Sequence, residues 1–361
     1  MRIVIFGATG FTGQLVVEQL RALGVSDLIL AGRSLERLEA LEPRKNEELR
    51  VADADRPETL RALLRGAGVV VSTVGPFLKY GEPIVRAALD AGAHFLDTTG
   101  EQAYVARLIE RYHGVAVEKK IAVVNAHAFE FALGISAASL LCDAHPKLHS
   151  VDIFNRVEGT GASRGTQKSA LAALQEDALI RRDGRLVSRG ASPLPLRVAF
   201  PNSKQRALAV PFPGTEALFL SRAYPSVRNV TTNLVLPKAL SLAAMALWSG
   251  RAALRPLQGV GALAWLESQI DAGDAGPDAA ARAAADFTVL ARGKGTGATP
   301  AVTVHGCDPY GITGALAARG AHTLAREESL KHGVVSSAEA FGAKRVLDEL
   351  AGHGVRYVMH S

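Results

Sequence analysis

Cysteine is scarce: the 361 residues contain two, Cys142 and Cys307. They form neither a metal-ligand spacing nor a disulfide framework. A disulfide-stapled fold is therefore excluded, no metal is expected, and a reducing, cytoplasmic setting fits best. Aromatic residues are few, at 6%, which favours close, helix-rich packing of small side chains. No unbroken apolar run reaches the ~20 residues of a membrane span. The most apolar stretch, 239–266, is interrupted by Arg251 and Arg255, with Gly250 and Pro256 beside them. Strand-like sequence from Arg2 onward leaves no room for a signal peptide or transit sequence. Basic residues interleaved with aromatics are also missing, so nucleic acid is not an expected partner.

What is present is uneven charge. Residues 1–130 carry 16 basic and 17 acidic side chains, whereas residues 147–256 carry 16 basic and 6 acidic ones. That basic excess suits an anionic substrate, an acidic carrier protein or a membrane surface, or else a plain solvated face. The length allows two domains.

Short apolar β runs alternate with helical patterns across residues 1–125. Strands are expected at 2–6, 27–31, 49–52, 68–72, 93–97 and 121–125. Helices are expected after the first strand, at 35–42, around Leu60 to Leu64, at 82–91 and at 102–118. Such alternation with short connections predicts a Rossmann-type doubly wound parallel sheet. After about residue 130 the pattern changes. Strands are expected at 153–157, 196–200, 207–210, 230–236, 286–292 and 301–305, with a helix at 169–180. They predict an α+β second domain on a mixed, largely antiparallel sheet. Residues 271–285 read as a linker or short exposed helix, and 311–326 and 336–352 as closing helices.

The connection after the first strand, GATGFTG, places Gly7, Gly10 and Gly13 between a strand and a helix. Gly7 permits the tight turn, Gly10 close approach to a pyrophosphate, and Gly13 close helix–strand packing. Thr9, Phe11 and Thr12 complete the loop, and the helix N-terminus offers N–H groups to the anion. A dinucleotide is the expected ligand. Strand two ends in Gly32, Arg33 and Ser34 rather than in a carboxylate. Arg33 and Ser34 suit the 2′-phosphate of NADP(H), and Asp53 after the third strand joins the candidate cofactor set. At the end of strand four, Ser72, Thr73, Val74, Gly75 and Pro76 are candidates for passage of the ribose or nicotinamide. Asp97, Glu101, His127 and Glu130 follow strands five and six, where each has a route to the crevice. Helix capping is the alternative for Asp97 and Glu101.

The blocks GATGFTG, AGRS, STVGPFLKYGEPIVRAALDAGAHFLDTTGE and VTVHGCDPYGITGALAARGAHTL together resemble the saccharopine dehydrogenase-like reductase family. That family includes saccharopine reductases and trans-acting enoyl reductases acting on polyketide-derived lipids. GTGASRGTQKSAL (159–171) is similar to the family's small-residue turn before a helix. The resemblance implies an NADP-binding domain at 1–130 and a substrate and dimerisation domain at 131–305. It further implies C-terminal helices, 306–361, that return to the first domain. The chain departs from the family at 127–135, reading HAFEFALGI where relatives resemble GFDSVPSDLG. His127, Phe129, Glu130 and Phe131 are thus expected to border the substrate.

These readings lead to an NADP(H)-dependent oxidoreductase reducing a conjugated C=C or a C=N bond. Tyr80, His127 and Glu130 are the candidate proton donors, with Lys79 nearby. A Tyr-x-x-x-Lys pair of the short-chain dehydrogenase kind is absent from the sequence. A small-molecule substrate, largely apolar, and a homodimer are expected. The stretch 239–266, with Trp248 and Trp265, could be core, interface, substrate cavity or membrane contact. Three alternatives stay open: a non-catalytic NADP(H) sensor, a saccharopine-type reductase of an amino-acid imine, and a redox-neutral enzyme with retained cofactor.

Overall fold

The computed structural model describes residues 1–159, 161–173, 178–188, 196–201, 206–236, 262–295, 297, 299–327 and 331–361. The chain divides into two compact units, Met1–Ala132 with Tyr310–Val346, and Leu133–Pro309 with Leu347–Ser361.

In the first unit strand and helix alternate: β1 (Arg2–Phe6), α1 (Phe11–Ala22), β2 (Leu28–Gly32), α2 (Leu35–Glu39), β3 (Glu47–Val51) and α3 (Pro57–Leu63). Then come β4 (Ala67–Ser72), α4 (Phe77–Ala91), β5 (His94–Asp97), α5 (Gln102–Glu118) and β6 (Ala122–Val124). Helix α6 (Phe129–Ala144) begins in this unit and continues into the second. The sheet has seven parallel strands in the order β15-β6-β5-β4-β1-β2-β3, where β15 is Gly333–Val335. Parallel strands are covered on both faces, so β1, β2 and β4 read as nearly continuous apolar runs. Their core joins Ile3, Ile5, Leu28, Leu30, Val69 and Val71 to Ala317, Ala321, Leu324 and Val335 from late in the chain. Strand order reverses between β1 and β4, which makes that point the ligand crevice of a doubly wound sheet.

The second unit carries β7 (Ser150–Glu158), α7 (Arg164–Ala173), β8 (Leu179–Arg182), β9 (Arg185–Ser188), β10 (Leu196–Ala199) and β11 (Arg206–Pro211). It continues with α8 (Glu216–Ala223), β12 (Asn229–Val235), α9 (Ala262–Ala272), α10 (Ala279–Ala283), β13 (Asp286–Lys294) and β14 (Ala301–Cys307). Helix α11 (Pro309–Leu324), β15, α12 (Ser337–Phe341) and α13 (Ala343–Asp348) follow, and the chain ends in β16 (Arg356–His360). The main path of the second sheet runs β10-β11-β12-β7-β13-β14-β16, with β8 and β9 beside β12. Only β12–β7 is parallel among these pairs. The mixed, largely antiparallel sheet expected from the sequence is the sheet observed.

Several boundaries differ from expectation. The helix expected at 169–180 starts and ends earlier, because Ser163 Oγ accepts the Thr166 N–H at 3.2 Å and sets its N-terminus. Residues 179–182 are instead the first arm of a hairpin, whose turn residues Asp183 and Gly184 have φ of 50° and 81°. Positive φ at both positions is what a two-residue hairpin turn demands. The helix expected at 82–91 starts five residues sooner, at Phe77, and accommodates Pro83 internally. The closing helix expected at 336–352 is broken at Gly342, where φ is 84°. The segment 306–361, expected as helices returning to the first domain, is shared out instead. Residues 310–346 belong to the first unit, while β16 completes the second sheet beside β14. The apolar stretch 239–266 lies outside the described residues except for its end, where Trp265 on α9 is exposed. Among the described residues no helix is long and apolar enough to cross a membrane.

Candidate functional site

The site is built on the C-terminal edge of the seven-stranded sheet. Gly7 leaves β1 at φ 96°, a conformation that disfavours any side chain. A Cβ there would also meet Thr73 Oγ1 at 2.6 Å and Val74 Cγ2 at 2.8 Å. Gly10 N–H donates to the Gly7 carbonyl at 2.9 Å, closing the turn, and Gly10 caps α1. A Cβ on Gly13 would run into that same Gly7 carbonyl. The first turn of α1, from Phe11 through Thr12 to Gly13, therefore sits tight against β1, with its N–H groups directed out of the helix end. This turn can cradle a pyrophosphate at the helix end, and its tightness depends on the missing β-carbons, which at Gly7 and Gly13 would collide with the protein itself.

The adenosine side follows β2. Arg33 is exposed, and among the described residues no protein group pairs with its guanidinium. Ser34 is the N-cap of α2, its Oγ accepting the Arg37 N–H at 3.2 Å. That cap brings Arg37 back over the loop, where Nη2 donates to the Thr9 carbonyl at 3.2 Å. Arg37 is a cation that sequence reasoning missed, although its place one turn after Arg33 was a usable signal. Asp53 is half-buried just beyond β3, and its Oδ1 accepts the Asp55 N–H at 3.0 Å. Arg33 and Arg37, with the single exposed carboxylate Glu36 between them, leave the end of β2 net positive, which fits a 2′-phosphate.

The opposite side follows β4. Ser72 is fully buried in register with Asp97, and Thr73 Oγ1 donates to the Gly7 carbonyl at 3.2 Å. Val74, Gly75 and Pro76 then lead into α4, with the Gly75–Pro76 peptide cis. Tyr80 is half-buried on α4, with Lys79 Nζ 4.7 Å from its ring centroid.

Three residues expected to reach the crevice are instead buried inside the unit. Asp97 is fully buried and accepts from Asn125 Nδ2 at 2.6 Å, Ala126 N–H at 2.8 Å and Thr99 N–H at 3.2 Å. Burial pushes its carboxyl up to about 7, against those hydrogen bonds, which act to lower it. Glu101, 2% exposed, accepts the first two N–H groups of α4. His127 corrects the expectation of a proton donor most plainly. Its Nδ1 lies 2.8 Å from Ser337 Oγ and its Nε2 3.0 Å from the Leu316 carbonyl. Burial drives the imidazole down to about 4, so it is neutral and engaged at both nitrogens. Its ring packs on Phe341, and Gly320 leaves room for it. It is a structural rivet between the β6 end and the late helices.

Glu130 differs from these. It is half-buried in the first turn of α6, just past the end of β6. Loss of water pushes its carboxyl up to about 7, against its own backbone N–H, which acts to lower it. Helix α11 closes the edge from behind. Tyr310 meets Phe11 edge to face at 5.1 Å, and Gly314 lets the helix rest on Leu15. The late GITG block thus supports the glycine loop from outside the chain segment that forms it.

Comparison with known proteins agrees with this geometry. Residues 3–124 match the saccharopine dehydrogenase NADP binding domain family. A trans-acting enoyl reductase of Mycobacterium tuberculosis is 40% identical over 134 residues, which is 36% of this chain and 32% of that protein. A lipid droplet localized protein of Caenorhabditis elegans is 30% identical over 249 residues, 61% of this chain and 58% of its own. The chain thus matches only about a third of the enoyl reductase's length. Apo saccharopine dehydrogenase (L-Glu forming) of Saccharomyces cerevisiae superposes with a TM-score of 0.65 at 13% identity, over 100% of both chains. At that identity the likeness is one of fold. Residues 3–124 match a saccharopine dehydrogenase-type NADP-binding domain, and over about a third of its length the chain is similar to a trans-acting enoyl reductase.

Proposed function

We propose that the chain is an NADPH-dependent reductase of a conjugated C=C bond in a largely apolar enoyl or enone substrate. The observation that carries this reading is the 40% identity to a trans-acting enoyl reductase over 134 residues. NADPH supplies the hydride when it is bound. The first turn of α1 holds the pyrophosphate, Arg33 with Arg37 the 2′-phosphate, and the turn 73–76 borders the nicotinamide half. Glu130 is the proposed proton donor to the carbon opposite the hydride, because its carboxyl keeps a proton close to neutral pH. Tyr80 is the second candidate. The apolar sequence at 239–266 and the lipid-droplet name of the nematode relative suit an apolar substrate. The basic excess of residues 147–256 suits presentation of that substrate on an acidic carrier protein.

The test is NADPH consumption with two substrate classes, an enoyl thioester and the imine of a 2-oxo acid with an amine. Oxidation by the enoyl thioester is expected, with Glu130→Gln lowering kcat about 100-fold while NADPH still binds. Consumption with the imine alone would move the assignment to saccharopine-type chemistry. Tight NADPH binding with no oxidation in either case would favour a sensor and sink the reductase reading.

A further inference from the structure

Helix α4 begins inside the cofactor edge, and its N-terminus is filled by the protein itself. Phe77 N–H donates to Glu101 Oε1 at 2.8 Å and Leu78 N–H to Oε2 at 2.8 Å, both from a carboxylate only 2% exposed. An N-terminus of this kind attracts an anion through its unpaired N–H groups and helix dipole. Here the anion is a side chain that lies 24 residues further along the chain. Glu101 is itself held in place, with its own N–H donating to Thr99 Oγ1 at 3.0 Å. Its neighbour Tyr104 packs on Phe77, ring centroids 5.7 Å apart, and fills the space that Gly81 leaves on α4. The turn between β4 and α4 is consequently anchored at both ends. Thr73 fixes the near end, N–H to the Phe6 carbonyl at 2.9 Å and Oγ1 to the Gly7 carbonyl, while Glu101 fixes the far end.

We infer that Glu101 is a positioning residue for the nicotinamide half of the dinucleotide, acting through the Thr73–Pro76 turn that its carboxylate holds against Gly7. The inference rests on the NADP reading and deepens it. In a doubly wound sheet the adenosine half lies on the β2 side of the strand-order reversal and the nicotinamide half on the β4 side. The Thr73–Pro76 turn that Glu101 holds is therefore expected to border the second half, whereas Arg33 and Arg37 border the first. A glutamine at this place has one acceptor oxygen and one NH2 group. It can accept one of the two helix N–H groups and confronts the other with a donor. An aspartate keeps the charge but loses one methylene of reach.

The experiment compares the binding of NADPH and of adenosine 2′,5′-bisphosphate, which lacks the nicotinamide half, to the full chain and to Glu101→Gln. NADPH affinity is expected to fall roughly tenfold or more in the variant, while adenosine 2′,5′-bisphosphate binds within about twofold of wild type. Glu101→Asp should give an intermediate loss with the same selectivity, and it carries the test if the glutamine variant does not fold. Equal losses for both ligands would reduce Glu101 to general support of the fold and overturn the inference, as would unchanged NADPH binding. A wild-type chain that fails to bind adenosine 2′,5′-bisphosphate would overturn the NADP reading instead.

Discussion

At the residue level, the cofactor edge separates side chains that face a ligand from side chains that organise the backbone around one. Arg33 belongs to the first kind, exposed and with no protein partner among the described residues. Arg33→Ala is expected to weaken NADPH binding about ten- to a hundredfold, the loss of one charge-assisted contact. NADH, without the 2′-phosphate, should bind the variant as it binds wild type. Equal losses for the two cofactors, measured by titration, would remove Arg33 from the 2′-phosphate site. Asp97, Glu101 and His127 belong to the second kind. Their residue types and strand-end positions were legible in the sequence, but their partners were not. His127 meets Ser337 and Leu316, 210 and 189 residues away, and no local pattern announces such a contact. Glu130 was legible as a carboxyl near the edge, whereas its raised pKa depends on burial that only the packed helix supplies.

At the level of elements, six of the seven strands of the first sheet were readable, the central ones because parallel strands buried on both faces are short, uniform apolar runs. The three-residue β15 from late in the chain was not expected. The same burial hid α6. From Phe131 to Ser139 every residue of that helix is buried, so no polar face marks its period. The true start of α4 was hidden differently, since Glu101, which satisfies its first N–H groups, comes from the following connection. Glycines in helices separate packing from propensity. A Cβ on Gly314 of α11 would meet Leu15 Cβ at 2.9 Å and the Leu15 carbonyl carbon at 3.1 Å. Gly314→Ala must push α11 off α1, and a loss of about 1–3 kcal/mol is expected in urea unfolding. A Cβ on Gly114 of α5 would have nothing within 4 Å, so Gly114→Ala should instead stabilise by about 0.5–1 kcal/mol. Matching effects at the two sites would refute the α1–α11 contact as the cause.

At the level of the whole molecule, buried and half-buried titrating groups in the first unit pull stability in opposite directions with pH. Asp97 and Glu130 are raised from 3.8 and 4.5 to about 7, so the native chain keeps protons that the unfolded chain releases. Their contribution is full below about pH 4 and is lost as pH rises through about 7. His127 is lowered from 6.5 to about 4, so its contribution is present above 6.5 and is lost as pH falls through about 4. Asp97→Asn removes one carboxyl from this contest. The urea midpoint of the variant relative to wild type should therefore improve between about pH 5 and about pH 8. A difference that stays constant with pH would show that Asp97 is ionised throughout.

The first core also has a consequence for how the chain is made. Ile3, Val16, Leu30 and Val71 are laid down early, yet they pack against Ala317, Ala321, Leu324 and Val335. A nascent chain that has just passed residue 132 carries the complete glycine loop but lacks one wall of the core beneath it. Such a chain exposes apolar surface that chaperones bind, and the wall arrives only after the entire second sheet apart from its last strand has left the ribosome. Translation pauses or truncations anywhere between residues 132 and 335 would thus strike the nucleotide-binding half, whose own sequence they leave intact.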